Sequence, residues 1–299
     1  MYIPVVSRNN KGKRMGGIAM EERRLTAAIL KSFQAELIKQ ERAPATIEKY
    51  MHDIRTFYAW LGNREVTPET VHEWKKSLTE RFSPGTVNGK LAALNTLLTF
   101  TGWTDCRARS LKLQRRAFRD DARELTRDEF YRLVATAERL GKDRLALLLE
   151  AISSTGVRVS EVKYFTVEAV RLGRAEIALK GKIRTILLPG KLCRKLLKYA
   201  RKQKIASGEI FLTGSGKPIN RKQIWAEMKA LCKQAGVEPG KVFPHNLRHL
   251  FAQTFYRQTR DVVKLADVLG HSSLSTTRIY LISTGAEHRR ELEKLKLVS

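Results

Sequence analysis

The sequence is poor in most of the features that mark a specialised class of protein. Cysteine occurs three times, at Cys106, Cys193 and Cys232, widely scattered and with no C-x-x-C pair. That excludes a disulfide scaffold, speaks against a zinc site and fits a reduced, intracellular compartment. Glycine (19) and proline (8) are too sparse in 299 residues for a collagen-like or low-complexity chain. No apolar run approaches the roughly 18 residues of a membrane span, and the richest stretch, 145–152, is interrupted by Glu150. The N-terminus is apolar first (Tyr2 to Val6) and basic afterwards (Arg8, Lys11, Lys13, Arg14), the reverse of a signal peptide. A G-x-x-x-x-G-K-[S/T] loop for ATP is missing, and so is an acidic cluster that would hold magnesium. The expectation is a soluble, cytoplasmic protein that needs no cofactor and no metal.

Negative charge is the other shortage. Asp and Glu number 30 against 57 Lys and Arg, for a net charge of +27. Such an excess predicts a polyanionic partner, above all nucleic acid, because neutralised phosphates release condensed counterions. With 42% hydrophobic residues the chain can bury a real core, and its length suits two domains of ordinary size.

Residues 1–20 lack hydrophobic periodicity and read as a basic flexible tail. From 21 to 106 the pattern is helical. Leu25, Ile29, Phe33 and Leu37 step by four, and Ile47, Tyr50, Met51, Ile54, Phe57, Tyr58 and Leu61 form an apolar stripe ended by Gly62. Thr67-Pro68 and Ser83-Pro84 each pair an N-cap with proline at the first helical position, which makes four helices in all. Residues 107–123, dense in arginine, read as a basic linker, with a charged helical extension as the other reading. A second domain, 124–299, opens on the capping box Thr126-x-x-Glu129. It is helical apart from β-formers between Val170 and Pro189 that make a hairpin with its turn at Gly181. The fold class is therefore mainly α, a helical bundle followed by a mainly helical domain with a small antiparallel β-sheet.

Four segments of the second domain concentrate reactive residues. Thr155-Gly156-Val157-Arg158-Val159-Ser160-Glu161 places an arginine beside a tight turn at a helix start, where Ser160 or a neighbour would cap; there Arg158 is a surface residue or a phosphate ligand. Lys180-Gly181-Lys182 sits at the hairpin tip, where a solvated charge is the ordinary role. In His245-Asn246-Leu247-Arg248-His249, the spacing puts His245, Arg248 and His249 on one helical face, able to bind an anion and move a proton. Leu269-Gly270-His271-Ser272-Ser273 is followed, nine residues after the histidine, by Tyr280. A lone tyrosine at helical spacing would be core. Near two arginines, a lysine and histidines, a phenol of ordinary pKa about 10 can become a nucleophile.

In this order and spacing, TGVRVSE, KGKIR, HNLRH, LGHSS and TTRIY resemble the tyrosine recombinase (phage integrase) family of simple two-domain type. The resemblance implies a helical core-binding domain that grips DNA ahead of a catalytic domain, the pair clamping the duplex. It implies that Tyr280 attacks a DNA phosphodiester to leave a 3′-phosphotyrosine, while Arg158 and Arg248 hold the non-bridging oxygens. His245 would shuttle the tyrosine proton, His271 would hydrogen-bond the phosphate, and Lys180 would protonate the leaving 5′-oxygen. Lys182 stays a rival for that last role, because the segment is one residue shorter than the family's usual G-K-G-x-K-x-R. Glu161 would organise the site, and His249 would support it. The implied partners are double-stranded DNA and three further copies in a homotetramer on two DNA sites, passing through a Holliday junction, with an accessory directionality factor left open. A type IB topoisomerase-like enzyme and a catalytically silent DNA-binding protein are the alternatives. The segment from Gly285 to Ser299 either docks on a neighbouring protomer or folds back on its own domain.

Overall fold

Capping chemistry sets the helices of the first half. The structure, a computed structural model, describes residues 23–113, 123–179, 182–271, 273–280 and 292–295. The expected basic tail, most of the linker and most of the C-terminal segment lie outside them. The chain divides into two compact units, before and after residue 115. In the first, α1 (Ala27–Lys39) starts at Thr26, whose hydroxyl accepts from the Ile29 N–H. Next, α2 (Pro44–Leu61) stops at Gly62 with φ of 62°, a left-handed turn that glycine adopts freely. The Thr67 and Thr70 side chains cap α3 (Pro68–Arg81) reciprocally. Ser83 precedes α4 (Pro84–Phe100) but caps no backbone N–H; its hydroxyl pairs with that of Thr86 instead. The apolar stripes meet in one core around Phe33, Ile54, Phe57, Trp74, Leu78, Leu91 and Leu94, all but sealed from solvent. Phe57 meets Trp74 edge-on at 4.9 Å. The basic stretch after Cys106 begins as part of this unit: Asn95 and Asn88 hold the backbones of Ala108 and Leu111.

The second unit is built around α6 (Asp143–Thr155), which is buried on nearly every side and is therefore a core helix rather than an amphipathic one. Around it pack α5 (Arg127–Arg139), opened by the Thr126–Glu129 capping box, α8 (Gly190–Lys202), α9 (Arg221–Ala235) and α10 (Pro244–Thr259). Gly156 ends α6 in the left-handed region, and a Cβ there would strike the Phe251 ring. A 3-10 helix follows, Val159–Tyr164, where the sequence pattern suggested an α-helix. Arg158, not Ser160, holds its N-cap position, and the Glu161 carboxylate accepts the Arg158 N–H at 2.8 Å. Val170 opens no strand. It belongs to α7 (Val167–Leu172), because Thr166 caps that turn and Gly173 stops it in the left-handed region. The hairpin then runs as β1 (Arg174–Leu179) against β2 (Lys182–Leu187), antiparallel, with Leu179 opposite Lys182. The chain continues through α11 (Val262–Leu269) and α12 (Leu274–Thr277) to a 3-10 turn, Arg278–Tyr280. No helix among the described residues is long and apolar enough to cross a membrane. The architecture is mainly α with one small antiparallel sheet.

Candidate active site

The packing of α10 against α6 carries the first contact of the site. Arg248 is buried (2% exposed), and its Nη1 donates to the carbonyl of Gly156, two residues before Arg158. Its Nη2 donates to the Leu269 carbonyl at 2.8 Å and meets His271 Nε2 at 2.9 Å. One side chain thus ties three segments that are far apart in sequence. Burial, and then the charges of Arg158 and Arg184, push the Arg248 pKa down, while the Tyr280 hydroxyl pulls it up. A guanidinium keeps its charge regardless.

His271 is placed by the end of α11. Gly270 (φ 64°) follows the helix in the left-handed region, the Gly270 N–H donates to Asp267, and the His271 N–H donates to Ala266, which is a Schellman closure. Burial and the neighbouring charges of Arg248, Arg158 and Arg184 lower the His271 pKa from 6.5 to about 4, against a smaller pull from Glu161. The ring is therefore neutral at pH 7. Arginine can only donate, so Nε2 is the acceptor, Nδ1 carries the proton, and it donates to Thr277 Oγ1 at 2.9 Å. Thr277 is fully buried.

Tyr280 is buried at 3% exposure, within a cage of imidazoles. Its ring stands 4.5 Å from His249, 5.9 Å from His271 (near-parallel at 11°) and 6.2 Å from His245. His245 and His249 touch edge-on at 4.6 Å, as their one-turn spacing on α10 requires. His245 keeps an exposed surface, yet the protein around it, with the charges of Arg248 and Arg158, lowers its pKa. A cleft of about 390 Å³ opens beside these groups, lined in part by Arg158, Arg221, Trp225, Phe243, His245 and Arg248.

Glu161 anchors the third side. Its carboxylate accepts from Arg158 Nη1 at 2.9 Å and from Arg184 Nη1 at 2.9 and 3.1 Å. Burial works to raise its pKa, but the Arg158 N–H and the two guanidiniums outweigh it and hold the group ionised. The structure therefore gathers Arg158, Glu161, His245, Arg248, His249, His271 and Tyr280 into one cluster. Lys180 lies outside the described residues, and Lys182 is described only as the first backbone position of β2. Two members of the cluster escaped sequence reasoning, Arg184 and Thr277. The signal for Arg184 was its parity: it shares a strand face with the buried Ile186, where a charge needs a partner.

A phenol caged by imidazoles and set against clustered arginines makes a positively charged site that suits an anion such as a phosphate. Three guanidiniums against one carboxylate leave two positive charges for an anion to neutralise. Comparison with known proteins makes the class specific. Residues 123–287 match the model of the phage integrase family. Tyrosine recombinase XerA of Thermococcus kodakarensis is 29% identical over 279 residues, covering 90% of this chain and 96% of the relative. Tyrosine recombinase XerC of Roseiflexus castenholzii is 30% identical, covering 79% and 82%. Among solved structures, XerH bound to its difH substrate superposes with a TM-score of 0.66 at 18% identity, covering 89% of this chain and 84% of that one. A lambda integrase dimer bound to a core site gives 0.69 at 16%, covering 85% and 94%. The chain belongs to the phage integrase family, and its activity is that of a tyrosine-type site-specific recombinase acting on DNA.

Proposed function

We propose that this recombinase cuts and rejoins double-stranded DNA through a 3′-phosphotyrosine intermediate, with Tyr280 as nucleophile. The observation that carries the reading is the convergence of His245, His249 and His271 on the Tyr280 ring, with His271 in contact with the buried Arg248. Arg158 and Arg248 would clamp the non-bridging oxygens of the scissile phosphate, stabilising charge that grows in the transition state. The planar fork suits a phosphate better than an ammonium would. His245, held neutral, is able to take up the phenol proton, with His249 packed beside it. A phosphate on Arg248 would favour a proton on His271 Nε2, which could then donate to the anion while Nδ1–H keeps its bond to Thr277. Lys180, or Lys182, would protonate the leaving 5′-oxygen. The attack exchanges one phosphodiester for another, so the bond energy is kept for rejoining and no cofactor enters the balance. Strand exchange between two sites then calls for a homotetramer and a Holliday junction. The working place is the cytoplasm, on the nucleoid, with an accessory factor setting direction where one is used.

Nicked suicide duplexes cut from the host's own DNA test this directly. The wild type should form a covalent adduct on denaturing gels and Tyr280→Phe none. Equal behaviour of the two proteins would overturn the assignment.

A further inference from the structure

Arg184 belongs to none of the roles above, yet it touches the supports of two of them. From β2 its Nη1 reaches both oxygens of Glu161, at 2.9 and 3.1 Å, and so fixes the carboxylate that fixes Arg158. Its Nη2 donates to the Val268 carbonyl at 2.7 Å. With Arg248 on the Leu269 carbonyl, two arginines thus satisfy the last carbonyls of α11 that the Schellman turn leaves over. The Arg184 side chain lies across Gly270, where an added Cβ would run into its Cδ and Nε. Its Nε is buried with no hydrogen-bond partner. A lysine could neutralise Glu161 without that orphaned donor. Only a fork reaches the carboxylate and the helix end together.

We propose that Arg184 is a positioning residue for DNA cleavage: it locks the Gly270–His271 turn to the Glu161–Arg158 pair, so that both halves of the phosphate clamp hold one geometry. The proposal rests on the recombinase reading, and its test is built to fail separately from it. In Arg184→Lys, adduct formation on a suicide duplex should slow about 10- to 100-fold, the scale of a misplacement near 1 Å, while DNA binding stays within about twofold, since most affinity comes from other basic contacts.

Two modified duplexes say where the defect lies. A methylphosphonate at the scissile position removes the non-bridging charge the clamp must hold, so the gap between wild type and Arg184→Lys should narrow to less than about threefold. A 5′-bridging phosphorothiolate, whose sulfur leaves without a proton, should keep the gap intact. If the phosphorothiolate closes the gap and the methylphosphonate does not, Arg184 serves the leaving group through the hairpin and the proposal fails. A readout on the free protein needs no DNA chemistry. The ring nitrogens of His271, followed by NMR, should lose the fixed Nδ1–H form in Arg184→Lys; an unchanged ring would overturn the proposal even if every duplex stayed uncut. Should the altered charge cluster unsettle the fold, the double variant Glu161→Gln, Arg184→Gln removes both charges, and it should show the same slowed cleavage and the same change at His271.

Discussion

Among the described residues each unit of the molecule buries one carboxylate between two cations, and the two clusters are built for opposite ends. In the first unit Asp53 on α2 takes Lys90 of α4 on one oxygen at 2.9 Å and Lys49 on the other at 2.6 Å. Burial works to raise the Asp53 pKa, and the two ammoniums overcome it. Lys49 lies one turn away on the same helix and is largely exposed, while Lys90 is nearly buried. This is a self-contained ion cluster that joins two neighbouring helices. In the second unit Glu161 takes two guanidiniums, and a third, Arg248, stands close by without a carboxylate among the described residues. In the bundle the enclosed charges, Asp53 and Lys90, balance, with Lys49 largely in solvent; in the catalytic unit Arg184 and Arg248 are both enclosed beside Glu161, which leaves positive charge over. A surplus of buried charge is costly to folding, and it is retained where an anion is to be bound.

That contrast can be broken experimentally. The largest effect belongs to Arg248→Lys, which keeps a charge but loses the fork holding Gly156, Leu269 and His271. Single-turnover adduct formation should fall by about 10²–10³, with DNA affinity, titrated in parallel, little changed. A matching loss of affinity would mean that the surplus charge serves grip rather than chemistry. Next comes Asp53→Ala, which strands Lys90 in the core and should cost the first unit about 3–5 kcal/mol. Denaturant unfolding followed on Trp60, Trp74 and Trp103 would report it, while cleavage by the protein that remains folded should keep its rate.

The smallest effect is one of pH. Because the His271 pKa is lowered from 6.5 to about 4, the unfolded chain binds the proton more readily between those values. Stability from this group is complete above pH 6.5 and is lost as the pH falls through the folded value. His271→Gln should flatten the pH dependence of the melting temperature in that window; an unchanged slope would show that the ring is not held neutral.

Much of this was legible along the chain. The stripe at Ile47–Leu61, the Thr67 and Thr126 caps and the glycine stops are local instructions, and helices appear where they stand. The candidate site residues were singled out by the resemblance of their motifs to one family, and the structure brings Arg158, Glu161, His245, Arg248, His249, His271 and Tyr280 together, with the roles proposed above. The departures arose where a side chain answers to a distant partner. Ser160 loses the cap position to Arg158 because Glu161, itself held by Arg184 from the hairpin, takes the Arg158 N–H. Ser83 is a local exception: its hydroxyl pairs with that of Thr86, three residues on, rather than with the helix backbone.

The sequence by itself determined the helical class, the two-part organisation of its pattern and the excess of positive charge that suits DNA, because periodicity, capping and charge are short-range properties, and its motifs named the candidate site groups through their family resemblance. Only the tertiary structure decided which of those groups meet. Arg248 reaches Gly156 across 92 residues and Leu269 across 21, and Arg184 reaches Glu161 across 23 and Val268 across 84. The tautomer of His271 and the need for glycine at 270 follow from those contacts. Such facts depend on the packing of α6, α10, α11 and the hairpin around a common core, and no single segment contains them.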